Sequence, residues 1–587
     1  MCRSIVGHIY LPTVLTAART VAVADQEGVA VPTTNGLGQR SQAVQRLGDE
    51  VFDVLVVGGG IVGAGVALDA ASRGLRTALV DKGDFASGTS SQSSKLVHGG
   101  LRYLEQREFR LVYEALAERS RLLKIAPHLV FLQPFVYPIF ASGEGSGRMA
   151  AAKTLARGVN TALWGYDLTG SARIGKFHKK ITPDEVLEYL PDLDPTLLAA
   201  GFEFHDARVD DARLVLTILR TAAESYGAAI ANYAEVVGIE RVGSTDRVTG
   251  ASIRDAETGN VISVRASCIV NAAGVWTDEI RTMDEGVDPD SVRPAKGVHI
   301  AVAANKVIAR RAGIIPVPGE KRFIFVIPWG EHVFFGTTDT DYTGSVEDVV
   351  CTEEDAQYLI NTVNAWFSSK IGFEDVTGTW AGIRPLIKAA KNAKTADLSR
   401  RHSVTTSESG VVSVTGGKLT TYRKMAKDTV DAVYPVIGAK KAKSITKSVV
   451  LSGGEGWDAY KGVSGSSRMG VTVEVADHLA SRYGNHAMEV AQIAQDPTLA
   501  GHLCASLPYI RAEVVYAVRF EMARTVIDVL SRRTRSLLLE RDEAMGAAQS
   551  VAALMAAELG WDSDEIVAQV DAFIALAEHE RDALPAL

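Results

Sequence analysis

The chain has 587 residues, enough for more than one domain and for a large buried core. Hydrophobic residues make up 47% of it and charged residues 22%, as in ordinary globular proteins. The formal net charge of -8 argues against a general nucleic-acid-binding protein, because affinity for a phosphate backbone needs a basic surface. The composition therefore predicts a multidomain globular protein that binds no nucleic acid.

Four cysteines, Cys2, Cys268, Cys351 and Cys504, lie far apart and form no CxxC pair. This spacing provides none of the usual zinc, iron–sulfur or disulfide frameworks. We therefore predict no metal site, and we interpret the cysteines as buried or incidental thiols in a reducing compartment.

Residues 1–50 precede the first predicted strand. The apolar stretch between Arg3 and Arg19, followed by Ala22–Ala24, loosely imitates a secretory signal peptide. The alternative is a flexible leader or a misplaced start, and we predict a flexible leader. No run reaches the roughly 18–20 apolar residues that a membrane-spanning helix needs.

The first predicted unit starts at Val51. Residues 51–57 are mostly Val or Leu, which predicts a strand buried on both faces. A helix follows and ends at Gly74, and a second strand then runs to Asp81. Strand, glycine turn, helix and strand within about 30 residues predict the βαβ unit of a parallel, doubly wound sheet.

Further elements follow in chain order. They are a helix over 102–126, a mixed, proline-containing segment over 131–194, an Asp-capped helix ending at Gly227, a buried strand over 267–276, strands between 294 and 343, a strand–turn–helix over 411–434, and helices beyond about 438.

A glycine fingerprint, Gly58-x-Gly60-x-x-Gly63, directly follows the first strand and opens the helix. In dinucleotide-binding folds the first glycine permits a tight turn, the second lets a pyrophosphate approach, and the third allows close helix–strand packing. The helix N-terminus offers free N–H groups and partial positive charge to the phosphates. Asp81 is placed to accept hydrogen bonds from an adenosine ribose, so these residues predict a dinucleotide site.

Two later segments favour FAD over NAD. Residues 268–274 and 411–418 each end a predicted strand on small residues, at Gly274 and at Gly416–Gly417. FAD is long and needs a second glycine-rich contact that a nicotinamide enzyme usually lacks. The helix predicted to start near Lys418 would direct its positive end towards a reduced flavin ring.

A serine-rich stretch follows Asp81, at the carboxyl end of a strand, where open α/β sheets bind their ligands. Hydroxyl groups here can donate to the pyrophosphate or to the flavin edge, from Ser90, Ser91, Ser93 and Ser94. Gly99 and Gly100 would let the backbone lie against the flavin ring.

The segments DVLVVGGGIVGAGVALDAASRG, SGTSSQSSKLVHGGLRYLE, WAGIRPL and VTGGKLTTYRKMA together resemble the FAD-dependent, quinone-linked glycerol-3-phosphate dehydrogenases. The resemblance runs from about Asp53 to the C-terminus. It implies an α/β fold in which a Rossmann-like FAD-binding domain of the glycine/D-amino-acid-oxidase type joins a mixed-sheet substrate domain and an all-helical C-terminal domain. It also implies oxidation of sn-glycerol 3-phosphate to dihydroxyacetone phosphate, with electrons passing to a membrane quinone.

Domain boundaries follow from this resemblance and from the predicted elements. We predict a leader over 1–50, FAD-binding segments at about 51–130, 205–290 and 375–437, substrate segments at about 131–204 and 291–374, and a C-terminal helical domain over 438–587.

A phosphomonoester dianion needs convergent cations, and arginine supplies directional donors in a planar fork. The residues that match the family's substrate site are Arg102, Tyr103, Arg384, Arg401 and Lys418, with Arg400 as an alternative to Arg401.

Hydride transfer from substrate C2 to the flavin also requires a group that accepts the hydroxyl proton. His98 and His299 both have suitable chemistry, and Arg384 can polarise the C2 oxygen. Our predicted catalytic residues are Arg384 and His98, and Asp339 is a candidate for orienting a catalytic cation.

A quinone acceptor lies in lipid, so the resemblance implies a peripheral protein at the cytoplasmic face of a membrane, or in the cytoplasm. Five arginines of the C-terminal domain are candidate contacts with anionic lipid or, alternatively, solvated or capping residues: Arg519, Arg524, Arg532, Arg533 and Arg535. A homodimer is compatible with this prediction.

Three alternative functions share parts of the pattern. A glycerol-phosphate oxidase would pass electrons to oxygen. A related amine or amino-acid oxidase would bind a carboxylate, which the excess of cations at Arg102, Arg384 and Lys418 disfavours. A flavin-binding protein without turnover is disfavoured because buried unpaired cations destabilise a fold that lacks an anionic ligand.

Overall fold

The structure is a computed structural model that describes residues 39–101, 103, 108–141, 147–170, 173–243, 246–388 and 401–585. Its strands are β1 (Val51–Phe52), β2 (Val54–Val57), β3 (Thr77–Val80), β4 (Leu96–Val97), β5 (Phe131–Phe140), β6 (Lys179–Ile181), β7 (Leu198–Arg208), β8 (Ala229–Ala231), β9 (Ala234–Arg241), β10 (Val248–Asp255), β11 (Val261–Ala266), β12 (Ile269–Asn271), β13 (Val292–Ala303), β14 (Ala312–Pro316), β15 (Phe323–Trp329), β16 (His332–Gly336), β17 (Thr340–Asp341), β18 (Val376–Ile387), β19 (His402–Thr406) and β20 (Val412–Gly416).

Its α-helices are α1 (Arg40–Asp49), α2 (Ile61–Ser72), α3 (Phe109–Ile125), α4 (Gly147–Thr169), α5 (Pro183–Tyr189), α6 (Asp211–Tyr226), α7 (Thr277–Glu285), α8 (Glu353–Trp366), α9 (Tyr422–Ile437), α10 (Gly462–Met469), α11 (Val473–Tyr483), α12 (Ala487–Ile493), α13 (Ala512–Glu521), α14 (Ser536–Leu539), α15 (Arg541–Leu559) and α16 (Ser563–Asp582).

A six-stranded sheet forms the core of the first domain, in the order β19-β20-β12-β2-β3-β8. Its strands run parallel except for β19, which joins antiparallel to β20 at one edge. Strands β2 and β3 are buried at every position, because α2 packs against them and α6 and α9 pack against α2. The predicted βαβ unit is confirmed, and so is the Asp-capped helix α6, whose N-cap Asp210 accepts from the N–H of Arg213.

The strand predicted over residues 51–57 is two strands in different sheets. β1 pairs with β11 in a four-stranded sheet, whereas β2 pairs with β12 and β3. Asp53 separates them, and its carboxylate accepts from the N–H of Arg76 at 2.8 Å. The break depends on the pairing of β1 with β11, which is distant in sequence, so the run of apolar residues did not indicate it.

A ten-stranded sheet forms the second domain, in the order β17-β13-β16-β15-β14-β5-β7-β4, with β18 on β13 and β6 on β7. The strands predicted between 294 and 343 are confirmed. FLQPFVYPIF was predicted to be mixed and is instead the single strand β5, which pairs along β7. Pro134 and Pro138 lack an N–H donor, and both lie outside the two-residue pairing of β5 with β14.

Helices α10 to α16 follow α9 and confirm the predicted helical C-terminal domain. Across the described part of the chain, no helix combines the length and the apolar character needed to cross a membrane.

Two arginines of the C-terminal domain, Arg533 and Arg535, are buried in ion pairs, and Arg532 is paired while of intermediate exposure, which corrects the expectation of lipid or solvent contact. Arg532 and Arg533 both pair with Asp84 of the loop after β3, each at 2.6 Å. Arg535 pairs with the α6 carboxylates of Asp210 and Asp211. These contacts join the C-terminal domain to the first domain. The two remaining arginines are also paired, Arg519 with Glu558 and Arg524 with Glu257.

Arg40–Asp49, assigned to the flexible leader, is the helix α1, which packs on β8 and β11. The guanidinium of Arg40 donates to the carbonyl oxygens of Asn232 and Tyr233, each at 2.9 Å, and pairs with Asp255. The prediction of a flexible leader is wrong for this helix. Positions 1–38 lie outside the described residues.

Candidate active site

A cavity of about 1060 Å³ lies where the carboxyl ends of β2, β3 and β12 meet the ten-stranded sheet. Glycine turns, the serine-rich loop, one wall of aromatic residues and a group of cations all border it. Its volume exceeds that of a pocket for a metabolite alone and suits a large dinucleotide together with a substrate.

The fingerprint glycines form the turn between β2 and α2. Gly58 has φ +104°, and a Cβ atom there would lie 2.7 Å from the carbonyl oxygen of Ala272. A Cβ atom at Gly63 would overlap the carbonyl oxygen of Gly58. Gly60 is the N-cap of α2 and borders the cavity. The turn therefore presents bare backbone and a helix N-terminus to a ligand.

Asp81 lies at the end of β3 and borders the cavity. Its carboxylate accepts from the N–H groups of Gly59 at 2.6 Å and Gly83 at 2.9 Å. Burial raises the pKa of this carboxyl to about 6, against the opposing effect of the two N–H donors. The ionised form is the one that can accept additional hydrogen bonds from ribose hydroxyls.

Three of the predicted serines, Ser90, Ser93 and Ser94, border the cavity, and the Ser93 hydroxyl donates to Asp211 at 2.6 Å. The Ser90 hydroxyl accepts from the N–H of Ile61 at 2.9 Å, so its own hydrogen is available to a ligand in the cavity. The Ser94 hydroxyl lies 2.9 Å from Nε2 of His299.

Two other predicted cofactor residues do not border the cavity. Ser91 is buried, and its hydroxyl faces the carbonyl oxygen of Gly88. The N–H of Gly99 donates to the Tyr166 hydroxyl at 2.9 Å, so this glycine contacts protein rather than the cavity. Through these contacts, Ser91 and Gly99 stabilise the loop that contains them.

The second glycine-rich contact also borders the cavity. Gly274 comes after β12, Gly416 ends β20 and Gly417 follows it, with φ of +77° and +86° for the last two. The helix expected to start near Lys418 begins at Tyr422 instead, after a 3₁₀ turn over Leu419–Thr421. The turn residues, rather than the first residues of α9, therefore face the cavity.

These features fit FAD by three structural tests. The cavity is long enough to run from Asp81 to Gly417, the turn at Gly58 has no room for a side chain, and the helix N-terminus at Gly60 can receive a pyrophosphate.

Arg384 projects from β18 into the cavity. Its guanidinium donates to the Thr337 hydroxyl at 2.9 Å and to the carbonyl oxygen of Thr338 at 3.2 Å, and lies 3.3 Å from a carboxylate oxygen of Asp339. A Cβ atom at Gly297 would overlap the guanidinium, so this glycine makes room for it. The guanidinium is therefore held in a fixed orientation at the cavity wall.

Lys418 and Tyr103 form a second cationic part of the wall. The Lys418 Nζ lies 3.5 Å from the centre of the Tyr103 ring, and both residues border the cavity. Gly100 allows this arrangement, because a Cβ atom there would overlap the ring.

Arg401 is not brought to the cavity. Its side chain is 57% exposed and pairs with Glu108 at 2.8 Å. Arg102 and the alternative Arg400 lie outside the described residues. The structure therefore assembles Tyr103, Arg384 and Lys418 among the predicted substrate residues.

Both candidate histidines are neutral in this environment. Burial lowers the pKa of His98 to about 4; the nearby cations Lys418 and Arg119 also lower it, while Asp206 opposes them. Burial lowers the pKa of His299 well below its usual value, and the charges of Lys95 and Arg384 act in the same direction. A neutral imidazole can accept a proton.

The sequence analysis missed a group of polar residues behind the loop that contains His98 and Gly100. Asp206 borders the cavity, accepts from the Tyr166 hydroxyl at 2.6 and 2.7 Å, and pairs with buried Arg119 at 2.6 Å. These residues come from β7, α4 and α3, and no local spacing links them. Burial raises the pKa of the Tyr166 hydroxyl, and the charge of Asp206 raises it further.

The fold and the cavity define an oxidoreductase that carries FAD. The family model described as FAD dependent oxidoreductase matches residues 53–423, and the C-terminal domain of alpha-glycerophosphate oxidase matches residues 444–566. The predicted cofactor and fold class are confirmed.

Relatives make the family more specific. "Glycerol-3-phosphate dehydrogenase 2" of Mycobacterium tuberculosis (strain ATCC 25618 / H37Rv) is 41% identical over 551 residues, covering 93% of this chain and 91% of the relative. The mitochondrial glycerol-3-phosphate dehydrogenase of Homo sapiens is 38% identical over 531 residues, covering 87% and 71%. The crystal structure of glycerol-3-phosphate dehydrogenase from Bacillus halodurans complexed with FAD superposes with a TM-score of 0.75 at 29% identity, covering 94% of this chain and 100% of that one. The chain belongs to the FAD-dependent glycerol-3-phosphate dehydrogenase family.

Proposed function

We propose that the protein oxidises sn-glycerol 3-phosphate to dihydroxyacetone phosphate and passes the electrons to a membrane quinone. The convergence of Arg384 and Lys418 on one cavity, beside the turn at Gly416–Gly417, is the observation that carries this proposal. The names of the relatives support the same substrate.

We assign phosphate binding to Lys418, Tyr103 and, from the sequence, Arg102. A compact ammonium and a phenol hydroxyl complement phosphate oxygens, and an adjacent guanidinium would add a planar fork. Arg401 is the weaker candidate, because it already pairs with Glu108 at the surface.

FAD, when bound, supplies the acceptor for the hydride that leaves C2 of the substrate. Gly58, Gly60 and Asp81 would hold its adenosine and pyrophosphate end, and Gly274, Gly416 and Gly417 its ring end. The residues of the chain then orient the substrate and exclude water around C2.

We assign the hydroxyl proton to His98 and the polarisation of the C2 oxygen to Arg384. A pKa of about 4 leaves the His98 imidazole neutral at pH 7 and able to accept a proton. The guanidinium of Arg384 is fixed by Thr337 and Thr338, so it stabilises negative charge at the oxygen without reorganising.

Anaerobic mixing of the purified flavoprotein with glycerol 3-phosphate tests the substrate. We expect prompt bleaching of the flavin absorbance, with stoichiometric dihydroxyacetone phosphate. An unchanged flavin spectrum would contradict the substrate assignment and would favour an amine or amino-acid substrate.

The acceptor needs a separate measurement. We expect rapid reoxidation of the reduced enzyme by a soluble quinone and a low yield of hydrogen peroxide in air. Stoichiometric peroxide would instead identify an oxidase, the activity in the name of the matching C-terminal domain model. We further propose a peripheral position at the cytoplasmic face of the membrane, as the quinone requires.

A further inference from the structure

We infer that buried Lys95 is a positioning residue for the pair of Ser94 and His299 at the cavity; this inference rests on the proposed function and deepens it. Ser94 and His299 border the cavity, whereas Lys95 does not, so Lys95 acts through its neighbours. Its side chain is only 2% exposed. Burying an ammonium is costly unless it is paired and hydrogen-bonded, so its contacts indicate its role.

Lys95 closes the loop that presents Ser94 to the cavity. Its Nζ atom donates to the carbonyl oxygen of Ser91 at 3.1 Å, across four positions of the chain. The backbone of Lys95 has φ of +56°, in the left-handed region that favours glycine. A lysine stays in that region only where surrounding contacts hold it, so these contacts fix the backbone next to Ser94.

Asp211 of α6 holds both the ammonium and the loop. One of its carboxylate oxygens lies 3.2 Å from the Lys95 Nζ, and the other accepts from the N–H and the hydroxyl of Ser93, at 3.1 and 2.6 Å. Arg535 of the C-terminal domain pairs with the first of these oxygens. Lys95 therefore belongs to a network that connects the C-terminal domain with the residue before Ser94.

The ring of Trp380 lies between this network and His299. The Lys95 Nζ lies 5.0 Å from the centre of the ring, within the range of a cation–π contact. The His299 imidazole stacks on the same ring, with centres 4.9 Å apart and planes 11° from parallel. The indole N–H of Trp380 donates to the carbonyl oxygen of Ser93 at 3.2 Å, which fixes the ring. The imidazole is thereby held with its Nε2 atom 2.9 Å from the Ser94 hydroxyl.

The charges that act on His299 are positive. They are those of Lys95 and Arg384, and both lower the pKa of the imidazole in the same direction as burial does. The rings of Phe334 and Trp380, which also pack on it, carry no charge. A protonated His299 would add a further positive charge to this wall of the cavity, so Lys95 favours the neutral imidazole.

Lys95 carries its own charge at pH 7. Burial lowers the pKa of its ammonium to about 8; the carboxylates of Asp211 and Asp210 oppose this effect, and Arg535 adds to it. The charge is therefore lost only as the pH rises through about 8. Below that pH, one buried cation acts on the pair at the cavity.

A redox titration of the flavin-loaded protein tests the charge of Lys95 without glycerol 3-phosphate. In the wild type, the pH dependence of the flavin reduction potential should change slope near pH 8, where Lys95 loses its proton. Lys95→Arg should lack this change, because a guanidinium stays charged at that pH. Both proteins have a buried cation at this position below pH 8, so the comparison isolates its titration.

Lys95→Gln removes the charge and keeps a donor for the carbonyl oxygen of Ser91. The pKa of His299 should rise by about one unit or more, because a nearby like charge is lost. The acid limb of kcat/KM for glycerol 3-phosphate should move to higher pH by the same amount. Reduction of the flavin should also be accompanied by additional proton uptake in the acid range, and this uptake should disappear in Lys95→Gln/His299→Gln.

Arg423→Gln is the matched control. Arg423 is 3% exposed and pairs with Glu118 at 2.6 Å, and neither residue borders the cavity. This variant should lose a free energy of unfolding similar to that lost by Lys95→Gln, while its acid limb and its proton uptake stay as in the wild type. A merely structural role for Lys95 predicts the same unchanged profile for Lys95→Gln.

Four results would overturn the inference. These are a slope change near pH 8 that is absent from the wild type or persists in Lys95→Arg, a wild-type profile in Lys95→Gln, additional proton uptake that survives His299→Gln, and an equal shift in Arg423→Gln. If Lys95→Gln does not fold, the comparison of the wild type with Lys95→Arg decides alone. A wild type that does not oxidise glycerol 3-phosphate would contradict the proposed function, while the redox titrations would still decide the role of Lys95.

Discussion

The cations at the cavity and the cations between the domains are the same residue types in opposite settings. Arg533 and Asp84 are 1% and 0% exposed, and Arg532 adds a second guanidinium to the same carboxylate. Arg384 is 25% exposed; it donates to the Thr337 hydroxyl and the Thr338 carbonyl oxygen and pairs with Asp339 at 3.3 Å. Lys418 lies over an aromatic ring.

The difference shows how the fold separates structural from functional charge. A cation buried with close carboxylates is neutralised and holds two segments together. Arg384 and Lys418 border the cavity, where their charge can also act on an anionic ligand. Position in the fold, rather than residue type or local sequence, therefore tells the two groups apart.

Removing the charge of Asp84 should have the largest effect. Asp84→Asn leaves buried Arg533 with only the longer contact to Glu521 at 3.9 Å, so we expect a loss of about 3–5 kcal/mol in the free energy of unfolding, measured in urea. Asp341→Asn is the control, because Asp341 pairs with Arg293 at the surface and should cost less than about 1 kcal/mol. Equal losses would contradict the stabilising role that we assign to the buried pair.

The same pair predicts a pH dependence of stability. Burial raises the pKa of Asp84, but the charges of Arg533 and Arg532 outweigh it and bring the pKa to about 2. A lowered folded pKa gives stability that is present above the unfolded value of about 3.9 and is lost as the pH falls towards 2. Unfolding curves of Asp84→Asn should lack this part of the acid destabilisation.

Arg384→Lys should reduce kcat/KM for glycerol 3-phosphate by about 10²–10³-fold, because an ammonium cannot reproduce the fixed fork. The flavin spectrum and the free energy of unfolding should change little. Arg293→Lys, on the strand paired with β18, is the matched control and should keep normal kinetics. Loss of the flavin in Arg384→Lys would mean that the guanidinium supports the cofactor instead.

Lys418→Met should raise KM for glycerol 3-phosphate by roughly tenfold or more, with a smaller change in kcat, if the ammonium binds the phosphate in ground and transition states alike. Lys306→Met is the control, since Lys306 pairs with Asp375 at the surface. An unchanged KM would exclude Lys418 from phosphate binding.

The smallest expected effect concerns His98. Because its pKa is about 4, kcat/KM should show no His98 inflection between pH 5.5 and 7.5. Removing the charge of Lys418 should raise the pKa of His98, since that charge lowers it. A step near pH 6.5 that disappears in His98→Gln would contradict the lowered pKa of this imidazole.

The parts of the fold set by neighbouring residues could be predicted from sequence, and those set by distant partners could not. The turn at Gly58 and Gly63 and the cap at Asp210 depend on residues a few positions apart, and each was found. Arg533 meets Asp84 from the far end of the chain, so nothing near it indicated burial. The split of β1 from β2 at Asp53 likewise depends on residues that are not neighbours in sequence.

In the candidate site, too, residues in local motifs could be predicted from the sequence, and residues brought together from distant elements could not. Cofactor residues lie in compact motifs, whereas the wall formed by Asp206, Tyr166 and Arg119 draws on three elements. Arg401 shows the converse, because its motif predicted a substrate contact and its position beside Glu108 places it at the surface.

The order of strands in the core sheet bears on how the protein is made. Strand β2 leaves the ribosome early, yet its neighbour β12 and the carbonyl of Ala272 that abuts Gly58 follow only much later in synthesis, and β20 later still. Until then the edge of β2 that will pair with β12 has no partner, a state prone to wrong strand pairing. Pairings so distant in sequence slow folding, and the cavity lining from Gly58 to Gly417 is complete only after β20 has been synthesised.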